Sequence, residues 1–115
     1  MTEQVSYDDV KPGAELALVS YPVTRLSLVR YCGASGDFNV IHWNERIARS
    51  VGLPNVIAHG MFTMAEAGRY VTDWAGPRAV VVEEKLDDNR VVLVLTARSG
   101  GEKVLTRAKA VVRLP

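Results

Sequence analysis

Asp37 and His42 stand five residues apart in a polar stretch, Ser35-Gly36-Asp37-Phe38-Asn39-Val40-Ile41-His42. A carboxylate and an imidazole at that spacing, in a loop opened by glycine, can point into one pocket. Together they can hold one water molecule and move protons on and off it. A second polar signal follows at Ala58-His59-Gly60-Met61. A helical pattern begins there without a good Ser, Thr or Asp cap, so its first backbone N–H groups are left free. The N–H of Gly60, aided by the helix dipole, can stabilise negative charge developing on a carbonyl oxygen.

Each of these residues also admits a plainer role. A histidine and an aspartate in one loop can simply hydrogen-bond to stabilise a turn. Asn39 reads as an Asx-type brace for the loop, with water binding as the alternative. His59 either orients backbone and packs, or takes part in the chemistry. Asp37, His42 and His59 together could hold a metal, but their spacing matches no known ligand pattern. Cys32 falls on an apolar helix face and reads as a small core residue, not a nucleophile.

The elements around these residues follow from periodicity and punctuation. A strand is expected over Glu15–Tyr21, ended by Pro22. Thr24 should cap a short helix over Arg25–Cys32, with Gly33 as its left-handed stop. Asn44 should cap another over Glu45–Val51, closed by Gly52. The longest helical pattern runs from Met61 to Ala75, where Met61, Met64, Ala65, Gly68, Val71 and Ala75 make one buried stripe. Gly68 costs about 1 kcal/mol relative to alanine in a helix, so it should mark a close backbone approach. The last third is strand-like: Ala79–Leu86, a turn at Asp87-Asp88-Asn89, Arg90–Ser99, then Lys103–Leu114. In the last strand Val104, Thr106, Ala108, Ala110, Val112 and Leu114 alternate with charged residues. One sheet face is thus apolar, to be covered by the long helix, with the small alanines meeting Gly68. The fold class is α+β: an antiparallel sheet on one long helix, as a single domain over residues 1–115.

Bulk composition narrows the function. Fourteen basic residues against thirteen acidic, net +1, lack the basic excess that a nucleic-acid footprint requires. No apolar run is long enough to span a bilayer, and Met1-Thr2-Glu3-Gln4 has neither a basic start nor an apolar core. A cytoplasmic protein is expected, without nucleic-acid or membrane partners. The single cysteine, Cys32, cannot form an internal disulfide and agrees with a reducing compartment.

The segment Ser35–His42 resembles the hydratase 2 motif of the MaoC-like, hot-dog-fold (R)-specific enoyl hydratases and 3-hydroxyacyl thioester dehydratases. That pattern is Ser-Gly-Asp, any residue, Asn, Pro, an aliphatic residue, His. Ser35-Gly36-Asp37, Asn39, Ile41 and His42 match, and Val40 stands where the family usually has proline. The run Ile41-His42-Trp43-Asn44 through Ile57–Ala65 looks especially like the actinobacterial subgroup, which includes the catalytic B subunit of the fatty acid synthase II dehydratase. The resemblance implies a hot-dog fold, its antiparallel sheet wrapped around one long helix. It also implies reversible hydration of trans-2-enoyl thioesters, or dehydration of (R)-3-hydroxyacyl thioesters, in fatty acid metabolism. It assigns Asp37 and His42 to the water and substrate protons and the Gly60 N–H to the oxyanion hole. Ser35, Asn39 and His59 support them, and no metal or organic cofactor is required.

The substrate would then be an acyl-CoA or an acyl-acyl carrier protein, and the protein a homodimer or a heterodimer with a related hot-dog subunit. Met61, Phe62 and Met64 would be core or line an acyl tunnel beside the long helix. Arg46, Arg49 and Arg69 would be solvated helix charges or docking points for an acidic carrier or a coenzyme A phosphate. A non-catalytic acyl-binding subunit and a hot-dog thioesterase are the other readings of the same fold. The passage from Trp74-Ala75-Gly76-Pro77 to the closing hairpins is shorter than the family's, so a segment of the natural chain is expected to be missing near residues 77–83.

Overall fold

The structure, a computed structural model, describes residues 3–81 and 88–115. It contains helices α1 (Arg25–Ser35), α2 (Glu45–Ser50) and α3 (Gly60–Ala75), and strands β1 (Val80–Val81), β2 (Arg90–Ser99) and β3 (Glu102–Arg113). None of the described helices is long and apolar enough to cross a membrane. The chain divides into two compact units, residues 1–19 with 67–115, and residues 20–66.

In the first unit the strands pair antiparallel in the order β1-β3-β2. Val71 and Ala75 of α3 are buried with Leu93 of β2, Val112 of β3 and Leu114. Each fully buried valine or leucine contributes about 1.5–3 kcal/mol, so this cluster is what fastens the C-terminal half of α3 to the sheet. The expected alternation along β3 fails where its pairing with β2 shifts twice. Arg107 adopts φ +57 as the register passes from Leu95↔Ala108 to Ala97↔Leu105, and it shifts again before Arg98↔Lys103. Between the shifts Val104 and Thr106 are exposed and Leu105 is half-buried.

Other expectations are corrected here. Glu15–Tyr21 forms no strand: it has no ladder partner among the described residues, and Leu18 is 96% exposed. Strand propensity is expressed only against a neighbouring strand; here the Ala17 carbonyl instead accepts from Tyr70 Oη–H at 2.7 Å, and Leu16 packs on the core. The apolar stripe of α3 is buried only at Val71 and Ala75, while Met61 and Met64 are 59% and 58% exposed. No described atom lies within 4 Å of where a Cβ on Gly68 would sit, so no backbone approaches it. Of the strand expected over Ala79–Leu86, β1 covers Val80–Val81. Residues 82–87 lie outside the described residues, as does part of the stretch 77–83 where a missing segment is expected.

The close approach is at Gly76 instead. It takes φ +88, and a Cβ there would lie 2.9 Å from both Gln4 Cα and Glu3 O. Gln4 caps the end of α3: its Nε2–H donates to the Ala75 carbonyl at 2.8 Å, and its Oε1 accepts from Arg78 N–H at 2.7 Å.

In the second unit Thr24 Oγ1 accepts from Ser27 N–H and starts α1, which buries Leu28 and Cys32. The helix runs past Gly33 and ends at Gly36, in the left-handed conformation at φ +77. Gly33 has room to stay helical, whereas the reversal that delivers Asp37 requires a positive φ one residue earlier. Asn44 Oδ1 accepts from Ile47 N–H and starts α2, which ends at Ser50, one residue earlier than expected. Glu45 pairs with Arg25 at 2.7 Å and Arg49 at 2.8 Å, and the Arg25 hydrogen bond, chiefly, holds its carboxyl below the usual range. That exposed cluster adds stability above the ordinary carboxylate range and loses it as pH falls through the lowered value.

Two stability predictions follow from these backbones. Gly76→Ala should destabilise by at least about 2 kcal/mol, from the positive φ and the Gln4 contact, while Gly68→Ala should stabilise by about 1 kcal/mol. Urea melts decide, and equal costs at the two glycines would contradict the packing. Val40 opens a single 3₁₀ turn, Val40–His42, behind Asn39 at φ −53, ψ 126, and its N–H has no described acceptor. Proline suits that position, so Val40→Pro should raise stability by about 0.4–1 kcal/mol; a lower melting temperature would show the turn to be strained.

Candidate active site

All the polar residues singled out in the sequence, except those on α3, lie in the second unit, and the loop between α1 and α2 brings the central ones together. Asp37 is held on three sides. Its N–H donates to Ser35 Oγ at 3.1 Å, its carbonyl accepts from His59 Nε2–H at 3.1 Å, and its Oδ1 accepts from Asn39 N–H at 3.1 Å. Ser35 is itself fixed by donating to the Tyr31 carbonyl at 2.8 Å, and Asn39 Oδ1 accepts from Ile41 N–H. With Oδ1 engaged, the free oxygen, Oδ2, faces His42 Nε2 at 3.8 Å.

His42 is 7% exposed and donates its Nδ1–H to the Ile57 carbonyl at 2.7 Å. That bond fixes the tautomer, so Nε2 carries the lone pair and turns it toward Asp37. The Ile57 segment is tied back in turn, since Ile57 N–H donates to the Ile41 carbonyl at 3.1 Å. His59 is 3% exposed, and its ring stacks on His42 with centroids 3.6 Å apart and planes 20° from parallel. Tyr31 packs on its other side, centroids 4.7 Å apart, and Cys32 Sγ lies 3.7 Å from its Nε2. Its Nδ1 is buried without a partner among the described residues. Gly60, next in the chain, opens α3, and its N–H has no described acceptor.

A 3.8 Å gap is too long for a direct hydrogen bond but lets one water oxygen bond to both atoms at once. Ligand atoms of Asp37, His42 and His59 also lie within 4.8 Å of one another. A metal must sit about 2.0–2.1 Å from each nitrogen and in the plane of each ring. Two rings stacked this nearly parallel aim their lone pairs along separate planes, so the trio suits proton transfer better than coordination. Arg49 is committed to Glu45 and Arg69 faces Asp73 at 3.8 Å, which makes them helix-surface charges.

A cleft of about 190 Å³ opens beside the loop, lined by Val29, Cys32, Phe38 and Trp43. Trp43 clamps this loop, its Nε1–H donating to the Phe38 carbonyl at 3.0 Å. A tunnel is expected beside the long helix; among the described residues, the hollow against its C-terminal half, lined by Val71, Thr72 and Ala75, measures about 20 Å³. That is room for one water, because this half of the helix is packed on the sheet. Tyr31, Trp43 and Ile57 were not singled out as functional from the sequence. Trp43 is adjacent to His42, a usable signal; Ile57 contributes only a carbonyl, which any residue would supply.

Comparison with known proteins bears on the family and the fold. The model of the MaoC like domain matches residues 9–96. The 3-hydroxyacyl-thioester dehydratase X of Mycobacterium tuberculosis is 49% identical over 43 residues, 37% of this chain and 15% of that protein. Fatty acid synthase subunit beta of Saccharomyces cerevisiae is 40% identical over 45 residues, 39% of this chain and 2% of that one. A solved MaoC-like dehydratase superposes with a TM-score of 0.86 at 32% identity, over 97% of this chain and 43% of its own. The chain therefore spans less than half the length of each of these relatives. Its helix and antiparallel sheet are those of a hot-dog fold, and with the family's domain matched over most of its length, the chain belongs to the MaoC like domain family.

Proposed function

We propose that this protein catalyses the reversible addition of water to trans-2-enoyl thioesters, and the reverse dehydration of (R)-3-hydroxyacyl thioesters, in fatty acid metabolism. The observation that carries the reading is the water-sized gap between Asp37 Oδ2 and His42 Nε2. Both atoms are free acceptors, because Oδ1 and Nδ1 are already engaged. A water bound between them loses a proton to the pair as its oxygen attacks C3. The pair returns a proton at C2, so it ends as it began. Negative charge passing through the thioester oxygen needs a donor, and the unpaired Gly60 N–H at the start of α3 supplies one. The α-proton is weakly acidic and hydroxide leaves poorly, so carbonyl polarisation and proton transfer are needed together.

The acyl group is carried on coenzyme A or an acyl carrier protein. The enzyme is cytoplasmic and works as a homodimer or with a related hot-dog subunit. Apolar residues left uncovered, Leu18 at 96% and Val94 at 71% exposed, support that association.

Crotonyl-CoA separates the possible activities. Loss of the enoyl absorbance without free thiol is the expected result; released thiol would mean a thioesterase, and no change an acyl-binding subunit. Asp37→Asn and His42→Ala should each lower kcat/KM by at least about 10²-fold with the circular dichroism spectrum unchanged. Near-full activity in either variant would defeat the mechanism.

A further inference from the structure

His59 is buried, yet it leaves Nδ1 without a partner, a cost that an apolar ring in its place would not carry. What it does with the rest of its ring touches both halves of the proton-handling pair. Nε2–H holds the Asp37 carbonyl at 3.1 Å, and the ring face lies on the His42 imidazole with centroids 3.6 Å apart. The ring is itself immobilised, with Tyr31 against it at 4.7 Å and Cys32 Sγ at 3.7 Å. Its main chain leads directly into Gly60. Nε2 is spent on a carbonyl, and Nδ1 makes no hydrogen bond to Asp37 or His42. Its influence must therefore pass through the two residues it touches.

We propose that His59 is the positioning residue of this site, its hydrogen bond to the Asp37 main chain and its stack on His42 together setting the separation of the two proton-transfer atoms. The proposal rests on the hydration reading above. The two contacts are chemically separable. His59→Gln retains an N–H donor but no ring; His59→Phe retains a ring face but no donor; His59→Ala has neither.

His59→Ala should lower kcat by about 10- to 10²-fold while KM changes by less than about threefold, as displacement of reacting groups does. The Gln and Phe variants should each recover part of that loss. In a His42→Ala background, adding His59→Ala should cost less than it does in the wild type, because one of the two residues it acts through is already gone. An undiminished kcat in His59→Ala would overturn the proposal, and so would losses that multiply in full in the double variant. Should the alanine variant not fold, the Gln and Phe variants decide alone: wild-type kcat in both would overturn it.

Failure of the hydration reading itself would appear separately, as a wild-type protein inactive on enoyl thioesters. The placement of His42 is then read without turnover, from the NMR signal of its Nδ1 proton. That proton should be protected from solvent exchange in the wild type, lose protection in His59→Gln, which removes the stacked ring, and keep more of it in His59→Phe, which retains a ring face. Unchanged protection in His59→Gln would overturn the proposal.

Discussion

The gap of 3.8 Å between Asp37 Oδ2 and His42 Nε2 is the quantity on which the site depends. A much shorter gap would close into a direct contact and shut water out; a gap beyond about twice a hydrogen-bond length would leave water bound by one group only. Neither side chain sets it unaided. Asp37 is fixed through its N–H, its carbonyl and one carboxylate oxygen, so a single oxygen remains for chemistry. His42 is fixed by the Nδ1–H bond to Ile57, and that carbonyl is anchored because Ile57 N–H returns to Ile41. The loop before His42 and the segment before Gly60 therefore brace each other through main-chain hydrogen bonds.

The stability of α3 follows different physics at its two ends. At the C-terminal end Val71 and Ala75 are buried, and Gln4 satisfies the Ala75 carbonyl, so apolar contact and a side-chain cap both act there. At the N-terminal end the Gly60 N–H has no acceptor among the described residues, and Met61 and Met64 are largely exposed. An uncapped terminus is a cost in folding terms and a resource in chemical terms, because donors not spent on the protein remain available to a substrate.

Sequence patterning carried much of this. The motif from Ser35 to His42 marked the loop in which the structure brings Asp37, His42 and His59 together, because its polar residues serve turn chemistry, which is local and depends on residue type. Thr24 and Asn44 were readable as caps for the same reason. The misses have a different origin. Glu15–Tyr21 has strand composition, but a strand exists only beside a partner, and partners are not a local property. The bulge at Arg107 was hidden because alternation assumes an unbroken register. Gly68 and Gly76 look alike in a sequence, and only the approach of Gln4 distinguishes the glycine that has no room from the one that does. His59 was visible as a residue, but its stack on His42 joins positions distant along the chain.

Where aromatic and imidazole rings are held in this site, the acceptors are main-chain carbonyls: Asp37 for His59, Ile57 for His42 and Phe38 for Trp43. Point mutation can remove a side-chain donor but cannot delete a carbonyl. Half of each bond is thus invisible to genetic change, and the residues that supply those halves are free to vary in side chain. Divergence at Ile57 or Phe38 can then reshape the surroundings of the pocket without dismantling its scaffold. For these three bonds the vulnerable positions shrink to the side chains that donate. A site built this way can explore new substrates by drift around a fixed frame.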